Sequence, residues 1–261
     1  MSSSRKKQEN RIVVIVAVIG AIATVVAALV GVLPDVLRRS ENTSDSNLPV
    51  TTTPQISTSI PDPRLIFQDA FDDNKKGWLV DSSIGDFNAS GYRVYKHIEN
   101  GKYIREMETD DKFVPTSGAV GIPHIAEKNF CLIFDAQISD SRQDIAIVVV
   151  ARAIGWDSYY QVELGANGEG RIRVNNKRQI GEWKNGVSWI DGKTHSVKIS
   201  FEGSLFEIFD GQDNRSIFKL DLQGSDLLSD LGDIRIGLEP FHSNQKAIVE
   251  FDNVFVYDRC P

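Results

Sequence analysis

Residues 159–164, YYQVEL, alternate polar and apolar side chains in a way that could build a ligand-binding face. Successive side chains of a β-strand point to opposite faces, so Tyr159, Gln161 and Glu163 share one face. An aromatic ring beside amide and carboxylate groups suits a sugar, whose C–H faces stack on rings and whose hydroxyls bond to polar groups. The pattern predicts a glycan-binding face, and an ordinary exposed sheet surface remains the alternative.

The loop after this segment decides which residues of the next strand join the same face. A two-residue loop would oppose Leu164 to Arg171 and mix the polar with the apolar face. A three-residue loop at 167–169 opposes Glu163 to Arg173 and requires a positive φ within the loop. The predicted ligand-binding residues are Arg152, Trp156, Tyr159, Gln161, Glu163, Arg173, Asn175 and Trp183.

No metal-dependent or nucleotide-dependent chemistry is indicated elsewhere in the sequence. The histidines, His97, His124, His195 and His242, stand singly, without the close spacing of a transition-metal ligand set. A Gly-x-Ser-x-Gly nucleophile motif and a phosphate-binding glycine loop are both absent from the sequence.

Calcium is a different case, because it takes oxygen ligands that can come from distant parts of a chain. Asp69 and Asp72 lie near the start of the β-rich domain, and Asp252 lies in its last predicted strand. Pairing of the first and last strands would bring these carboxylates together. The sequence therefore allows a structural calcium site, or simply acidic residues in an exposed turn.

The sequence contains two cysteines, Cys131 and Cys260. If the strand that begins near residue 130 pairs antiparallel with the last strand, the two cysteines lie side by side and can form a disulfide that holds the C-terminus. An extracytoplasmic location permits such a bond. The alternative is a buried free Cys131 and an unpaired Cys260.

From residue 64 onwards, short segments of alternating apolar residues recur about every ten residues and are separated by Asn-Gly, Asp-Gly and Glu-Gly pairs. This spacing is typical of a β-sandwich or barrel, so we expect strands to position the candidate residues. Turns at Asn100-Gly101 and Glu202-Gly203 predict that Ile98 faces Tyr103 and that Ile199 faces Phe206. The predicted strands are 93–99, 102–108, 130–138, 145–154, 159–164, 171–174, 195–200, 205–209, 217–220, 234–238 and 248–257.

The N-terminal part has a different character. Residues 12–33 form an uncharged apolar run of about 33 Å as a helix, which is long enough to cross a bilayer. Four basic residues precede the run, within residues 1–11, whereas Arg38 and Arg39 follow it. This excess of positive charge before the run favours a cytoplasmic N-terminus. A cleaved signal peptide is the alternative. Residues 34–63, rich in Ser, Thr and Pro, predict a disordered linker before a domain at 64–261.

Four segments of this domain resemble the concanavalin A-like lectin/glucanase superfamily, near its laminin-G-like bacterial members and the 3-keto-disaccharide hydrolase-like domains. The segments are FDDNKKGW, VVARAIGWDSYYQVELGANGEGRIRV, THSVKISFEGSLFEIFDG and AIVEFDNVFVY. The resemblance implies an all-β jelly-roll sandwich of two antiparallel sheets, each of about six strands, with one concave sheet that often binds the ligand.

The glycosidase motif of this superfamily, Glu-x-Asp-x-x-Glu, is not matched. Its nearest counterpart runs from Glu250 through Asp252 and places Phe255 where the second glutamate belongs. A retaining glycosidase needs two carboxyl groups about 5 Å apart, so this segment predicts no family 16 glycosidase activity.

These features together predict a single-pass membrane protein that displays a glycan-binding jelly roll outside the membrane without catalysis. A sugar-processing hydrolase, which would need a cleft with two close carboxyl groups or one beside a metal, and a protein-binding ectodomain are the alternatives. The net charge of −7 argues against a nucleic-acid partner, because phosphate binding requires a basic surface. The sequence identifies neither the glycan nor a protein partner.

Overall fold

The structure, a computed structural model, describes residues 62–81, 84–115, 118–139, 144–155, 158–175, 177–224 and 231–261. The predicted membrane span at 12–33 and almost all of the predicted linker at 34–63 lie outside these residues. Within the described ranges no helix is long and apolar enough to cross a membrane.

Within the described residues, fourteen strands build two antiparallel sheets. The larger sheet contains β1 (Leu65–Asp69), β2 (Tyr92–Glu99), β3 (Lys102–Thr109), β5 (Phe130–Ile138), β10 (His195–Glu202), β11 (Leu205–Asp210), β12 (Ser216–Asp221) and β14 (Lys246–Tyr257). The smaller sheet contains β4 (Val120–Glu127), β6 (Ile145–Ile154), β7 (Ser158–Gly165), β8 (Gly170–Val174), β9 (Arg178–Trp183) and β13 (Gly232–Pro240).

The strand order defines a two-layer sandwich. The larger sheet runs β12-β11-β10-β5-β14-β3-β2, with β1 also paired to β14, and the smaller sheet runs β4-β13-β6-β7-β8-β9. The predicted all-β, two-sheet antiparallel sandwich is therefore confirmed. In the described part of the chain the larger sheet has eight strands rather than the expected six or so, and β1 is one of the additional strands because it pairs with the end of β14 that β3 leaves open.

The core lies between the two sheets, and period-two alternation fills it. On β3, Tyr103 and Met107 point into the core, whereas Ile104 and Glu106 are partly exposed on the other face. Strand β6 differs, because nine of its ten residues are buried. A central strand that is covered on both faces reads as a continuous apolar run, and β6 does so from residue 145 to residue 151.

Side-chain alternation correctly predicts one of the three hairpin registers, the one at Asn100-Gly101. At Asn100-Gly101 both residues have positive φ, and Ile98 lies opposite Tyr103 as predicted. The predicted pairing of Ile199 with Phe206 is wrong, because Ile199 lies opposite Ile208. The turn there is formed by Gly203-Ser204 instead of Glu202-Gly203, which keeps the faces and shifts the pairing by two residues.

The C-terminus is tied to the larger sheet. Tyr257 on β14 lies opposite Cys131 on β5, and three residues later Cys260 forms a disulfide with Cys131. Asp258 adds a second tie, because its backbone N–H donates to the Arg64 carbonyl. The last strand is therefore held both covalently and by hydrogen bonds.

Candidate functional site

An open groove of about 800 Å³ lies on the outer face of the smaller sheet. We define this groove by six of its lining residues, Glu163, Arg171, Arg173, Trp183, Glu239 and Phe241. They come from β7, β8, β9, β13 and the segment that follows β13. Glu163 alternates with the core residues Val162 and Leu164, so the groove lies on the face turned away from the sandwich core.

The groove lies beside a second, smaller apolar cluster on the same outer face. Val148 and Val150 of β6 pack there with Ala153 and Tyr159. Val148 is the cross-strand neighbour of Glu163 on β7. The polar groups of the groove therefore stand next to a buried apolar cluster, whose low polarity strengthens electrostatic interactions between them.

Glu163 is the best-satisfied charge in the groove. Its side chain is 2% exposed, and Arg171 Nε donates to Oε2 over 2.5 Å. Arg173 Nε lies 3.2 Å from Oε1, and Gln161 Nε2 donates to the same oxygen over 3.1 Å. Arg171 also lies 5.7 Å from the ring centre of Phe241. Two guanidinium groups and an amide thus compensate one buried carboxylate.

Glu239 is a second buried carboxyl group in the groove, and it lacks this compensation. Gln161 Nε2 donates to Glu239 Oε2 over 2.9 Å, so one amide nitrogen bridges Glu163 and Glu239. Burial, and then the negative charge of Glu163, raise the pKa of Glu239 from 4.5 to about 7, although both arginines oppose this shift. Its carboxyl group therefore keeps its proton to a higher pH than that of an ordinary glutamate.

The rim of the groove is more acidic than basic. Its lining carboxylates are Asp144, Glu169 and Glu182, and its basic groups are Lys184 and His242. His242 Nε2 lies 3.7 Å from Asp144 Oδ2. Glu182 and Glu169 accept hydrogen bonds from the neutral amides of Gln179 and Asn167 respectively.

The structure brings four of the predicted ligand-binding residues to this region. Gln161, Glu163 and Arg173 form the polar cluster described above. Trp183 lines the groove while its ring packs on Phe218, 5.1 Å away between ring centres. It therefore separates the groove from the core.

The other predicted residues lie elsewhere. Tyr159 is 8% exposed and belongs to the apolar cluster, and its backbone N–H donates to Asn175 Oδ1 over 2.9 Å. Asn175 thus holds the end of the β7–β8 pair. Arg152 points away from the groove and bonds the carbonyls of Lys128 and Gly203. Trp156 lies outside the described residues.

The predicted register of the β7–β8 hairpin is off by two residues. Glu163 lies opposite Arg171, and Gln161 lies opposite Arg173. The loop has three residues as predicted, and Gly168 has a φ of +84°. It closes one residue earlier, since the Gly165 N–H bonds the Glu169 carbonyl over 2.8 Å. The shift preserves the faces and adds Arg171 to the groove.

Three groove residues were not predicted from the sequence, namely Arg171, Glu239 and Phe241. Arg171 was missed because the predicted register of the β7–β8 hairpin is off by two residues. Glu239 lies one residue beyond the predicted strand 234–238, but alternation from Ile234, Ile236 and Leu238 would have placed it on the groove face had that strand been extended.

The residues predicted to bind calcium are Asp69, Asp72 and Asp252. Asp69 uses both oxygens, since Phe71 N–H and Trp78 Nε1–H donate to them over 2.9 and 2.7 Å. Burial raises the pKa of Asp252, and the charges of Asp135 and Asp72 add to this shift. Among the described residues no group of three or more His, Cys, Asp or Glu side chains is arranged to hold a metal ion.

No protein-family model and no curated protein matches this sequence. Solved structures are similar in fold. Laminarinase from Flavobacterium sp. UMI-01 is 13% identical, with a TM-score of 0.52 over 74% of this chain and 100% of that chain. SCLam, a non-specific endo-β-1,3(4)-glucanase of family GH16, is 14% identical, with a TM-score of 0.51 over 77% of this chain and 94% of that chain.

A third structure, the carbohydrate-binding module CBM66 from Bacillus subtilis, is 18% identical, with a TM-score of 0.45 over 69% of this chain and 94% of that chain. The two glucanases establish the fold as the concanavalin A-like jelly roll. This agrees with the superfamily that the sequence motifs resemble. Fold alone does not determine activity.

Proposed function

We propose that this protein binds a glycan in the groove on the smaller sheet. The observation that carries the proposal is the convergence of Glu163, Arg171, Arg173 and Glu239 in one open groove of about 800 Å³. Charged and amide groups at fixed positions can bond several hydroxyls of one sugar. The aromatic residues Trp183 and Phe241 add apolar surface for its C–H faces.

The fold supports this proposal by analogy. The laminarinase and the endo-β-1,3(4)-glucanase that share it are named for activity on glycans.

A glycan array probed with the full-length protein in detergent tests the proposal, with and without calcium. Arg171→Met removes a polar contact of the groove and keeps an apolar stem, and we expect it to weaken binding by tenfold or more. The matched control is Arg215→Met on the β11–β12 hairpin of the larger sheet, which should bind like the wild type. Equal binding by both variants would contradict a site in the groove.

Hydrolysis of a glycan is a second candidate function, favoured by one specific observation. Gln161 Nε2 contacts an oxygen of Glu163 and an oxygen of Glu239, so these oxygens are no farther apart than its two hydrogen bonds combined. That closeness suits the carboxyl pair of a retaining glycosidase. Glu239, with its pKa of about 7, would act as the acid that protonates the leaving oxygen, and Glu163 as the nucleophile.

Release of new reducing ends from β-1,3(4)-glucan measures this second function directly. Wild-type activity that Glu239→Gln abolishes would establish hydrolysis. Binding of glycans without any release of reducing ends would support binding and contradict hydrolysis.

We also propose that the jelly roll is displayed outside a membrane by a helix at residues 12–33, with the N-terminus in the cytoplasm. The uncharged run and the excess of basic residues before it support this arrangement. The protein should stay in the membrane fraction after alkaline extraction, and protease added outside intact cells should reach the domain. Release by alkali would contradict an integral anchor.

A further inference from the structure

Three segments of the sequence match Asn-x-Ser/Thr, the pattern in which the asparagine amide can accept a sugar chain. They begin at Asn42, Asn88 and Asn214. Asn42 lies outside the described residues. The other two lie on the larger sheet or beside it, away from the groove, so the structure can tell which of the two is available for modification.

Asn88 begins a tight exposed loop that leads into β2. Its amide oxygen Oδ1 accepts the backbone N–H groups of Ser90 and Tyr92 over 2.9 and 3.2 Å, which fixes the side chain. The Gly91 N–H closes the loop on the Asn88 carbonyl over 3.0 Å. Asn88 and Ser90 are both exposed. No group in the described part of the chain bonds Asn88 Nδ2 or Ser90 Oγ, so the acceptor nitrogen and the hydroxyl are both accessible.

The segment at Asn214 differs in its hydroxyl. Ser216 begins β12, and its Oγ donates to Glu207 Oε1 over 2.8 Å. Asn214 Oδ1 itself accepts a hydrogen bond from the buried Lys198 ammonium group. A transferase that binds the hydroxyl of the pattern must first break the contact with Glu207, whereas at Asn88 it displaces only water.

A charge also distinguishes the two segments. Asp86, which is exposed, stands two residues before Asn88, and the neutral Gln212 stands at the same place before Asn214. A carboxylate beside the acceptor can form a charge-assisted hydrogen bond to a basic group of a transferase. This difference again favours Asn88.

The surface around Asn88 contains apolar side chains that a sugar chain would cover. Phe87 is 41% exposed and Val114 is 62% exposed. The Val114 N–H donates to the Ser90 carbonyl over 3.2 Å, so both side chains flank the same loop. Aromatic rings pack well against the C–H faces of sugars. A sugar chain on Asn88 therefore has an adjacent surface to contact.

We propose that Asn88 is an N-glycosylation site of this protein. Asn88 Nδ2 attacks C1 of the first sugar of a chain carried on a polyprenyl diphosphate. The C1–N bond forms while the bond from C1 to the diphosphate oxygen breaks. The diphosphate leaves with the bonding electrons, and a base of the transferase takes one amide proton. The Oδ1 contacts of Asn88 persist in the product, because the reaction uses only the nitrogen.

The inference is independent of glycan binding in the groove, but it rests on the proposed display of the domain outside the membrane. Asparagine-linked chains are characteristic of surface loops in secreted proteins. The experiment therefore has to report the location of the domain separately from the modification.

Peptide mass spectrometry of the full-length protein, purified from the membranes of its native host, tests the inference. Trypsin releases residues 77–93 with Asn88 and residues 199–215 with Asn214. We expect the first peptide to carry the added mass of a sugar chain and the second to have its unmodified mass.

Three variants assign the modification. Asn88→Gln should lose the sugar chain. Ser90→Ala should also lose it, although this variant keeps the acceptor and the backbone N–H that holds it, so misfolding of the loop does not explain the loss. Asn214→Gln is the matched control and should keep the chain on Asn88.

The inference and the proposed display fail in different ways. An unmodified Asn88 in a domain that external protease reaches overturns the inference alone. A sugar chain on Asn214 in place of Asn88, or one on Asn88 that survives Ser90→Ala, also overturns it. An unmodified Asn88 in a domain that external protease does not reach overturns the inference together with the display.

Discussion

At the scale of single residues, the buried carboxyl group of Glu239 makes the stability of the domain depend on pH. Burial raises the pKa of Glu239 from 4.5 to about 7, so the folded protein holds a proton there that the unfolded chain releases. The stabilising effect of this proton is complete below pH 4.5 and is lost as the pH rises through about 7. The full difference corresponds to about 3 kcal/mol at most.

We predict that Glu239→Gln removes this pH dependence. The variant and the wild type should have nearly equal free energies of unfolding at pH 4. At pH 8 the variant should be more stable by up to about 3 kcal/mol, because it has no charge to bury. Urea denaturation at both pH values measures the difference, and Glu182→Gln at the exposed rim is the control. A constant difference between wild type and Glu239→Gln would contradict the assignment.

Sequence patterns predicted part of this site at residue level. Alternation correctly placed Gln161 and Glu163 on one face, because burial of one face fixes the parity of a strand. Arg152 was misplaced because of a β-bulge between Ala151 and Ile154, in which Arg152 has a φ of +52°. A bulge changes which face of the sheet the following side chains point to. The run of valines and alanines before Arg152 contains no residue that indicates a bulge.

At the scale of elements, the strands were predicted better than their pairing. A shift of two residues keeps every side chain on its face, so alternation cannot detect it, and the β7–β8 and β10–β11 hairpins both differ by this amount. Strands β1, β4 and β9 were missed. Strand β4 contains Pro123 and a positive φ at His124, and β9 is a mostly exposed edge strand interrupted by Gly181.

Close contact between β8 and β9 at Gly170 gives a prediction at this scale. A Cβ at Gly170 would overlap the Trp183 ring and lie 2.5 Å from the Glu163 carbonyl oxygen. Gly170→Ala should therefore destabilise the protein by about 1–3 kcal/mol, change tryptophan fluorescence and weaken glycan binding. Gly121→Ala on β4 is the matched control, since its Cβ would meet nothing within 4 Å. Similar behaviour of the two variants would contradict the packing described for Trp183.

At the scale of the whole molecule, the sandwich was predictable because repeated short alternations and turn residues determine an all-β fold without knowledge of each pairing. The groove was not, because β7, β8 and β9 are consecutive in the sequence but β13 follows them only after three further strands. The convergence of Glu163 on β7 with Glu239 on β13 has no local signal.

The Cys131–Cys260 disulfide links residues 129 positions apart, so its effect belongs to the whole domain. Reduction should lower the free energy of unfolding by about 2–5 kcal/mol, since the unfolded chain gains freedom when a long loop opens. Urea denaturation with and without dithiothreitol measures this change. A double variant, Cys131→Ala with Cys260→Ala, should not respond to the reductant. Identical midpoints for the oxidised and reduced wild type would contradict this role of the bond.

The central claim, that the groove on the smaller sheet binds a glycan, is tested most directly by hydrogen–deuterium exchange of the full-length protein with and without the tightest-binding glycan from the array. The account predicts slower exchange at the groove edge, in residues 165–170 and 178–184, and unchanged exchange on the outer face of the larger sheet. Protection confined to the larger sheet, or no protection at either edge of the groove, would contradict it.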